Sequence, residues 1–180
     1  LRVPIQDLED EKTRRRMGLM RDVGHNFHVY VYDIPTVEQI SLIRENTDLI
    51  SQLEIVISWD KIKEYTRVLS DLTNQFGLDI ILSRVNRKDS AKTSGGKFNH
   101  LISHGFSLFE TGELSNFLSD NKHLVSGVQF TITRGDCPWK ASELMQKFAN
   151  ATGCKPYLYI KSTEASPAER FDDEISNTLR

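Results

Sequence analysis

Short apolar runs alternate along the chain with segments of helical periodicity. The apolar runs predict strands at residues 1–5, 28–33, 53–59, 78–85, 106–111, 128–134 and 156–161. The segments between and after them predict helices at residues 9–24, 36–49, 60–76, about 98–104, 113–120, 138–152 and 167–179. Strands that alternate with helices pair in parallel through right-handed crossovers. The pattern therefore predicts an α/β protein of about seven strand–helix units.

Glycine and proline positions agree with these boundaries. A glycine stands where a helix should end in a left-handed cap at Gly24, Gly77, Gly105 and Gly153. A proline stands near a helix start, where a missing N–H costs little, at Pro35, Pro138 and Pro167.

The two faces of the predicted strands differ in polarity. Every second residue of a strand points to the same face, and we call each such set of alternate positions a parity. One parity is apolar, as in Val29 and Val31 or Ile55 and Ile57, whereas the other carries residues such as Tyr30 and Glu54. Helices cover both faces of a doubly wound sheet, so its central strands should be apolar on both. A (β/α) barrel needs only an apolar outer face. The sequence therefore favours a TIM-like barrel that is one unit short of eight, and a doubly wound parallel sheet is the alternative.

The bulk properties suit one domain spanning residues 1–180. A net charge of −2 gives no general attraction to nucleic acid, and no apolar run could span a membrane. The two cysteines, Cys137 and Cys154, lack the spacing of a zinc ribbon, and we expect a reducing, cytoplasmic setting. Because the chain begins at Leu1 and in a strand, we expect it to be part of a longer protein with the missing unit outside it.

Barrel enzymes carry their active sites at the carboxyl ends of the strands, and this rule selects the candidate residues. The predicted catalytic residues are Lys161, Asp33, Asp60 and Tyr32. The predicted substrate-binding residues are Arg2, Arg84, Arg134, Ser58 and Thr133. Lys161 ends a strand on the same side as two tyrosines, where burial would lower the pKa of its amine and allow addition to a carbonyl. Its alternative roles are a salt bridge, an anion contact or simple solvation.

Metal binding is weakly supported by the sequence, and no metal site is assigned. His100 and His104 are four residues apart on a predicted helix, but that helix should end near the floor of the barrel. Asp33, Asp60 and Glu110 could supply oxygen ligands for Mg²⁺ or Mn²⁺, but a ring of carboxylates at strand ends is also expected by chance at any barrel mouth. The cofactor is therefore unknown, with a divalent metal left open. The basic loop at 84–97 suits either a solvated loop or a lid that grips an anion.

Two functions remain as hypotheses. The first is an enzyme of the lyase or isomerase type that acts on a small anionic carbonyl or sugar-like substrate at the barrel mouth, with carboxylates as acid and base. The second is a non-catalytic, barrel-derived binding or regulatory domain, whose open edge would self-associate or dock a partner domain of a longer chain. Fold alone does not decide between them.

Overall fold

The computed structural model describes residues 1–58, 62–85, 104–121, 123–133 and 136–161. They form six strands: β1 (Arg2–Pro4), β2 (Phe27–Tyr32), β3 (Ile50–Ile57), β4 (Asp79–Arg84), β5 (Gly127–Thr133) and β6 (Lys155–Lys161). The α-helices are α1 (Glu11–Asp22), α2 (Val37–Glu45), α3 (Ile62–Phe76), α4 (Thr111–Asp120) and α5 (Pro138–Thr152). Short 3-10 helices lie at Ile5–Leu8 and Leu108–Glu110. The expected alternation of strands and helices is confirmed over these ranges, and the predicted final helix at 167–179 lies outside them.

All six strands belong to one parallel sheet in the order β1-β2-β3-β4-β5-β6. The register places Arg2 beside His28, His28 beside Gln52, and Gln52 beside Asp79. The sheet is curled, because Gln52 on β3 donates a hydrogen bond to the Tyr157 hydroxyl on β6 at 2.7 Å. Across a flat sheet these strands would lie three spacings apart, or about 14 Å. The described strands thus form an open, curled α/β sheet, and β1 and β6 do not pair with each other within it.

Local signals explain where the helices begin and end. Asp10 caps α1 by accepting a hydrogen bond from the Thr13 N–H at 2.8 Å. Thr36 and Gln39 form a reciprocal capping box at the start of α2. Pro138 occupies the first turn of α5, and Gly153 ends that helix with φ 76°. The sequence placed all of these boundaries within a few residues because the signals are local.

In the described residues, a hydrophobic core lies between the helices and the apolar side of the strands. Strand residues such as Val29, Ile55 and Phe130 share it with helix residues such as Leu69 and Phe148. Since the opposite parity contributes little to this cluster, the structure confirms that the two faces of the sheet differ in polarity. The part of the chain that the structure describes contains no helix that is long and apolar enough to cross a membrane.

The strand predicted at 106–111 is wrong except at its first residue. Phe106 forms a single parallel bridge to Phe130, and the chain then enters the 3-10 helix and α4. The cause is a capping box in which the Glu110 carboxylate accepts the Ser107 N–H at 2.7 Å, which starts a helix where the alternation predicted a strand.

The short segment before it fills the gap between β4 and β5. These strands pair only through Ile81 with Gly127 and Leu82 with Val128. Beyond that point Gly105 donates to the Arg84 carbonyl at 2.7 Å, and Phe106 donates to the Gln129 carbonyl at 2.9 Å. The segment therefore holds the two strands apart at their carboxyl ends, and it carries His104 to the polar face of the sheet.

Gly105→Ala should destabilise the protein by at least about 2 kcal/mol. Gly105 has φ 132°, and an added Cβ would lie 2.8 Å from the Phe130 carbonyl carbon and 2.9 Å from the Thr131 nitrogen. Gly18→Ala is the matched control, since its Cβ would meet nothing within 4 Å. That helical substitution should stabilise the protein by about 0.5–1 kcal/mol. Urea unfolding measures both, and a Gly105→Ala protein as stable as the original would contradict the close approach.

Candidate functional site on the concave face

The concave face of the sheet is lined by the polar parity of the strands. Its described side chains include Arg2, His28, Tyr30, Tyr32, Gln52, Glu54, Ser83, Gln129, Thr131 and Tyr157. Several of them are buried although they are polar, notably Glu54, Ser83, Gln129 and Thr131. Buried polar side chains need hydrogen-bond partners, so the contacts on this face indicate how the site is built.

Glu54 is the centre of these contacts. It lies in the middle of β3 and is 0% exposed. Arg2 from β1 binds the carboxylate in a bidentate manner, with Nε 2.7 Å from Oε2 and Nη2 2.9 Å from Oε1. Ser83 from β4 donates its hydroxyl to Oε1. A buried carboxylate is stable only with such partners, and paired hydrogen bonds from a guanidinium are the strongest available.

Two histidines complete the surroundings of Glu54. His28 Nε2 lies 2.9 Å from Glu54 Oε2, but it is not aligned for a hydrogen bond, and it has no aligned partner among the described residues. His104 Nδ1 lies 3.5 Å from Oε1. Burial alone would raise the pKa of Glu54, but contacts with His104, His28 and Arg2 and the charge of Arg2 lower it well below 4.5. Glu54 is therefore ionised in the folded protein at neutral pH.

His104 connects this carboxylate to a tyrosine. Its Nε2 lies 2.5 Å from the Tyr32 hydroxyl oxygen, and its Nδ1 is hydrogen-bonded to Arg2 Nη2. His104 is 4% exposed, and its backbone bridges to Val85. Burial lowers the pKa of His104 below 6.5 and outweighs the opposing effect of Glu54. We refer to Arg2, Tyr32, Glu54, Ser83 and His104 together as the Glu54 network.

Aromatic contacts fix the geometry around His104. The rings of Tyr30 and Tyr32 meet the His104 ring edge to face, with centroids 5.1 and 5.0 Å away. The Arg2 guanidinium carbon lies 4.5 Å from the centre of the Tyr30 ring, within the range of a cation–π interaction. Burial raises the pKa of Tyr32 well above 10, so this hydroxyl keeps its proton at neutral pH.

The predicted catalytic residues do not assemble into one described site. Tyr32 belongs to the Glu54 network. Asp33, with φ 63°, accepts a hydrogen bond from the Tyr65 hydroxyl of α3 instead. Lys161 ends β6 beside Thr133 of β5, but the side chains of both lie outside the described residues, as does the whole of Asp60.

The predicted substrate-binding residues are also divided. Arg2 lies in the Glu54 network, whereas Arg84 forms an ion pair with the buried Glu110 at 3.0 Å. The backbone N–H of Ser58 donates to the Tyr65 hydroxyl at 3.3 Å. Arg134 lies outside the described residues. Of the five residues, Arg2 is the one whose described side-chain contacts join it to a buried polar network on the concave face.

Sequence reasoning did not select Glu54 or His28 as site residues, and it misplaced His104. A carboxylate inside an otherwise apolar strand, as Glu54 is in LEIVI, was the signal that could have pointed to the network. His104 was predicted on a helix near the barrel floor, but it lies in a β-bridge beside β4. Its hydrogen bond to Tyr32 joins residues 72 positions apart, which no local pattern reveals.

No group of three or more His, Cys, Asp or Glu side chains is arranged to hold a metal ion in the ranges described above. Glu54, His28 and His104 converge, but the Arg2 guanidinium contacts both Glu54 and His104. Arg2 thus supplies the positive charge at the point where a cation would otherwise bind.

Arg2→Gln should destabilise the protein by about 3–5 kcal/mol, because it leaves the buried Glu54 carboxylate without its bidentate partner. The double variant Arg2→Gln with Glu54→Gln should lose much less, because the buried charge is removed with its partner. Arg21→Gln is the control, since Arg21 pairs with Asp22 and Asp48 on the surface, where solvent screening leaves ion pairs with little effect on stability. Chemical denaturation compares the three. Equal losses for the Arg2 and Arg21 variants would show that Glu54 does not depend on Arg2.

The folded protein should lose stability on acidification in two stages. Folding lowers the pKa of His104 below 6.5, so its contribution is complete above pH 6.5 and is lost as the pH falls toward its folded value. Folding also lowers the pKa of Glu54 below 4.5, so its contribution is lost at more acidic pH. His104→Gln should flatten the first stage in a series of urea midpoints. An unchanged slope between pH 6.5 and 5 in this variant would contradict the assignment.

Comparisons with known proteins match no family. No protein-family model matches the chain, and a search of curated proteins finds no significant relative. Function therefore has to be argued from the geometry of the concave face.

Proposed function

We propose that the chain is an enzyme that catalyses proton transfer on a small polar substrate at the concave face of a (β/α) barrel lacking one unit. The reaction would be of the lyase or isomerase type, on an anionic carbonyl or sugar-like compound. The observation that carries this proposal is the contact of Tyr32 with His104 at 2.5 Å, backed by Arg2 and the ionised Glu54. Networks of this kind hold an acid–base group in a fixed orientation.

The barrel interpretation is supported by the sequential strand order and by the position of the 104–106 segment. That segment fills the place of a strand between β4 and β5, as a barrel whose strands follow chain order requires. In a doubly wound sheet the strand order reverses at a switch point, and the ligand binds there. The order of the six described strands has no such reversal, which favours a ligand on the concave face near the carboxyl ends of the strands.

Tyr32, Arg2 and Lys161 would have different roles in the reaction. Tyr32 would exchange a proton or a hydrogen bond with a substrate oxygen, because its hydroxyl lies at the carboxyl end of β2 and is held by His104. Arg2 would contact the substrate anion through Nη1, since Nε and Nη2 bind Glu54. Lys161 and Thr133 end neighbouring strands at the same edge of the sheet, so Lys161 keeps its proposed role as electrophile or nucleophile.

A deuterium-exchange experiment tests the enzymatic proposal without knowledge of the product. The protein would be incubated in D2O with 2-oxo acids and sugar phosphates one at a time, and loss of the proton signal α to the carbonyl would be followed by NMR. Tyr32→Phe should slow the exchange about 10²-fold or more, the usual contribution of a positioned acid or base. Tyr159→Phe, at a more exposed tyrosine of β6, is the matched control. An equal effect of both substitutions would argue against Tyr32.

A non-catalytic docking domain is the second candidate, and one observation favours it. Leu158 and Ile160 on the apolar parity of β6 are 39% and 45% exposed, at an edge of the sheet as described. Exposed apolar edge strands promote association. Sedimentation analysis distinguishes the two: concentration-dependent self-association that Leu158→Lys abolishes, together with no exchange activity, would favour docking.

A further inference from the structure

A hydrogen-bond donor and a hydrogen-bond acceptor approach the same nitrogen of His104. Arg2 Nη2 is hydrogen-bonded to Nδ1, and Glu54 Oε1 lies 3.5 Å from that nitrogen. A guanidinium can only donate a hydrogen bond, and an ionised carboxylate can only accept one. Nδ1 must therefore be bare if Arg2 is its partner and protonated if Glu54 is. The choice decides which ring nitrogen of neutral His104 carries the proton.

The number of hydrogen bonds that Glu54 Oε1 can accept decides whether Arg2 or Glu54 is the partner of Nδ1. Oε1 already accepts from Arg2 Nη2 at 2.9 Å and from the Ser83 hydroxyl, which matches the two lone pairs of a carboxylate oxygen. Arg2 Nη2 carries two hydrogens, one for Oε1 and one for Nδ1. This arrangement satisfies Arg2 Nη2, the Ser83 hydroxyl and Glu54 Oε1 without a proton on Nδ1. A proton on Nδ1 would oppose the Arg2 donor and would reach Oε1 only over 3.5 Å.

We infer that Arg2 is a positioning residue that holds His104 as the tautomer protonated on Nε2. In the contact with Tyr32, His104 is then the donor and the Tyr32 oxygen the acceptor. Tyr32 directs its own proton away from His104 and serves as a hydrogen-bond donor to the oxygen of a substrate, where negative charge develops during proton transfer. This last step rests on the proposed function, whereas the tautomer of His104 does not.

The charged and titratable groups around His104 are consistent with a neutral ring. Among the described residues they are Arg2 from β1, His28, Tyr30 and Tyr32 from β2, and Glu54 from β3. The positive charge of Arg2 opposes a second positive charge on the ring, and Glu54 favours it. Burial disfavours the charged ring further and lowers the pKa of His104 below its ordinary value.

Nitrogen NMR of the whole chain labelled with 15N-histidine tests the tautomer directly. The chain contains five histidines, and the signals of His104 are identified by their loss in His104→Gln. At pH 7 we expect Nε2 to show the shift and proton coupling of a protonated nitrogen and Nδ1 the shift of a bare one. A proton on Nδ1, or a doubly protonated ring, would overturn the inference.

Variants test whether Arg2 is the cause. Arg2→Met alone leaves a buried carboxylate unpaired, so the measurement uses Arg2→Met together with Glu54→Met, which removes both charges at similar volume. Both His104 nitrogens should then move toward the averaged shifts of mixed tautomers, whereas Arg21→Gln should leave them unchanged. An unaltered Nε2–H signature in the double variant would overturn the role of Arg2. Since no substrate is used, this failure is distinguishable from failure of the proposed enzyme activity.

Discussion

The buried carboxylate of Glu54 constrains the whole concave face. An ion with 0% exposure loses its hydration, and in proteins this costs several kcal/mol unless partners replace the water. Arg2 from β1 and Ser83 from β4 donate hydrogen bonds to the carboxylate, and His28 from β2 and His104 from the 104–106 segment lie within 3.5 Å of it. The sequential strand order brings these residues to one carboxylate, because β1, β2 and β4 all lie within two strands of β3. The ion pair thus depends on the strand order, and the curl of the sheet adds the contact between Gln52 and Tyr157.

The two faces of the sheet contribute differently to stability and to the candidate site. The convex face joins the helices in one apolar core, which supplies most of the stability of the domain. The concave face buries polar groups whose energies nearly cancel, because desolvation offsets ion pairing. Such a network contributes little net stability but fixes orientation, as the contacts of His104 with Arg2 and Tyr32 illustrate. A fixed acid–base group is what a proton-transfer enzyme needs, and this connects the fold to the proposed function.

Much of the fold follows from local sequence signals. Alternation separated the faces of β2, β3 and β5 correctly, and Pro138 and Gly153 marked the start and the end of α5. The strand expected after Phe106 failed because the Ser107–Glu110 capping box outweighed the alternation. The site was less predictable, since Arg2 and Glu54 are 52 residues apart and Arg2 and His104 are 102 apart. Asp33 does not lie in the expected site, because its backbone has a positive φ and its carboxylate contacts Tyr65. The alternation of strand residues does not predict this backbone conformation.

The ionisation state of Glu54 tests this account most directly. The carboxyl carbon of Glu54 can be followed by 13C NMR from pH 7 downward, with its signal identified by loss in Glu54→Gln. The account predicts that Glu54 remains ionised well below pH 4.5 for as long as the protein stays folded. Protonation at or above pH 4.5 in the folded protein would contradict it, because a carboxylate held by Arg2 and Ser83 could not then be the centre of the network.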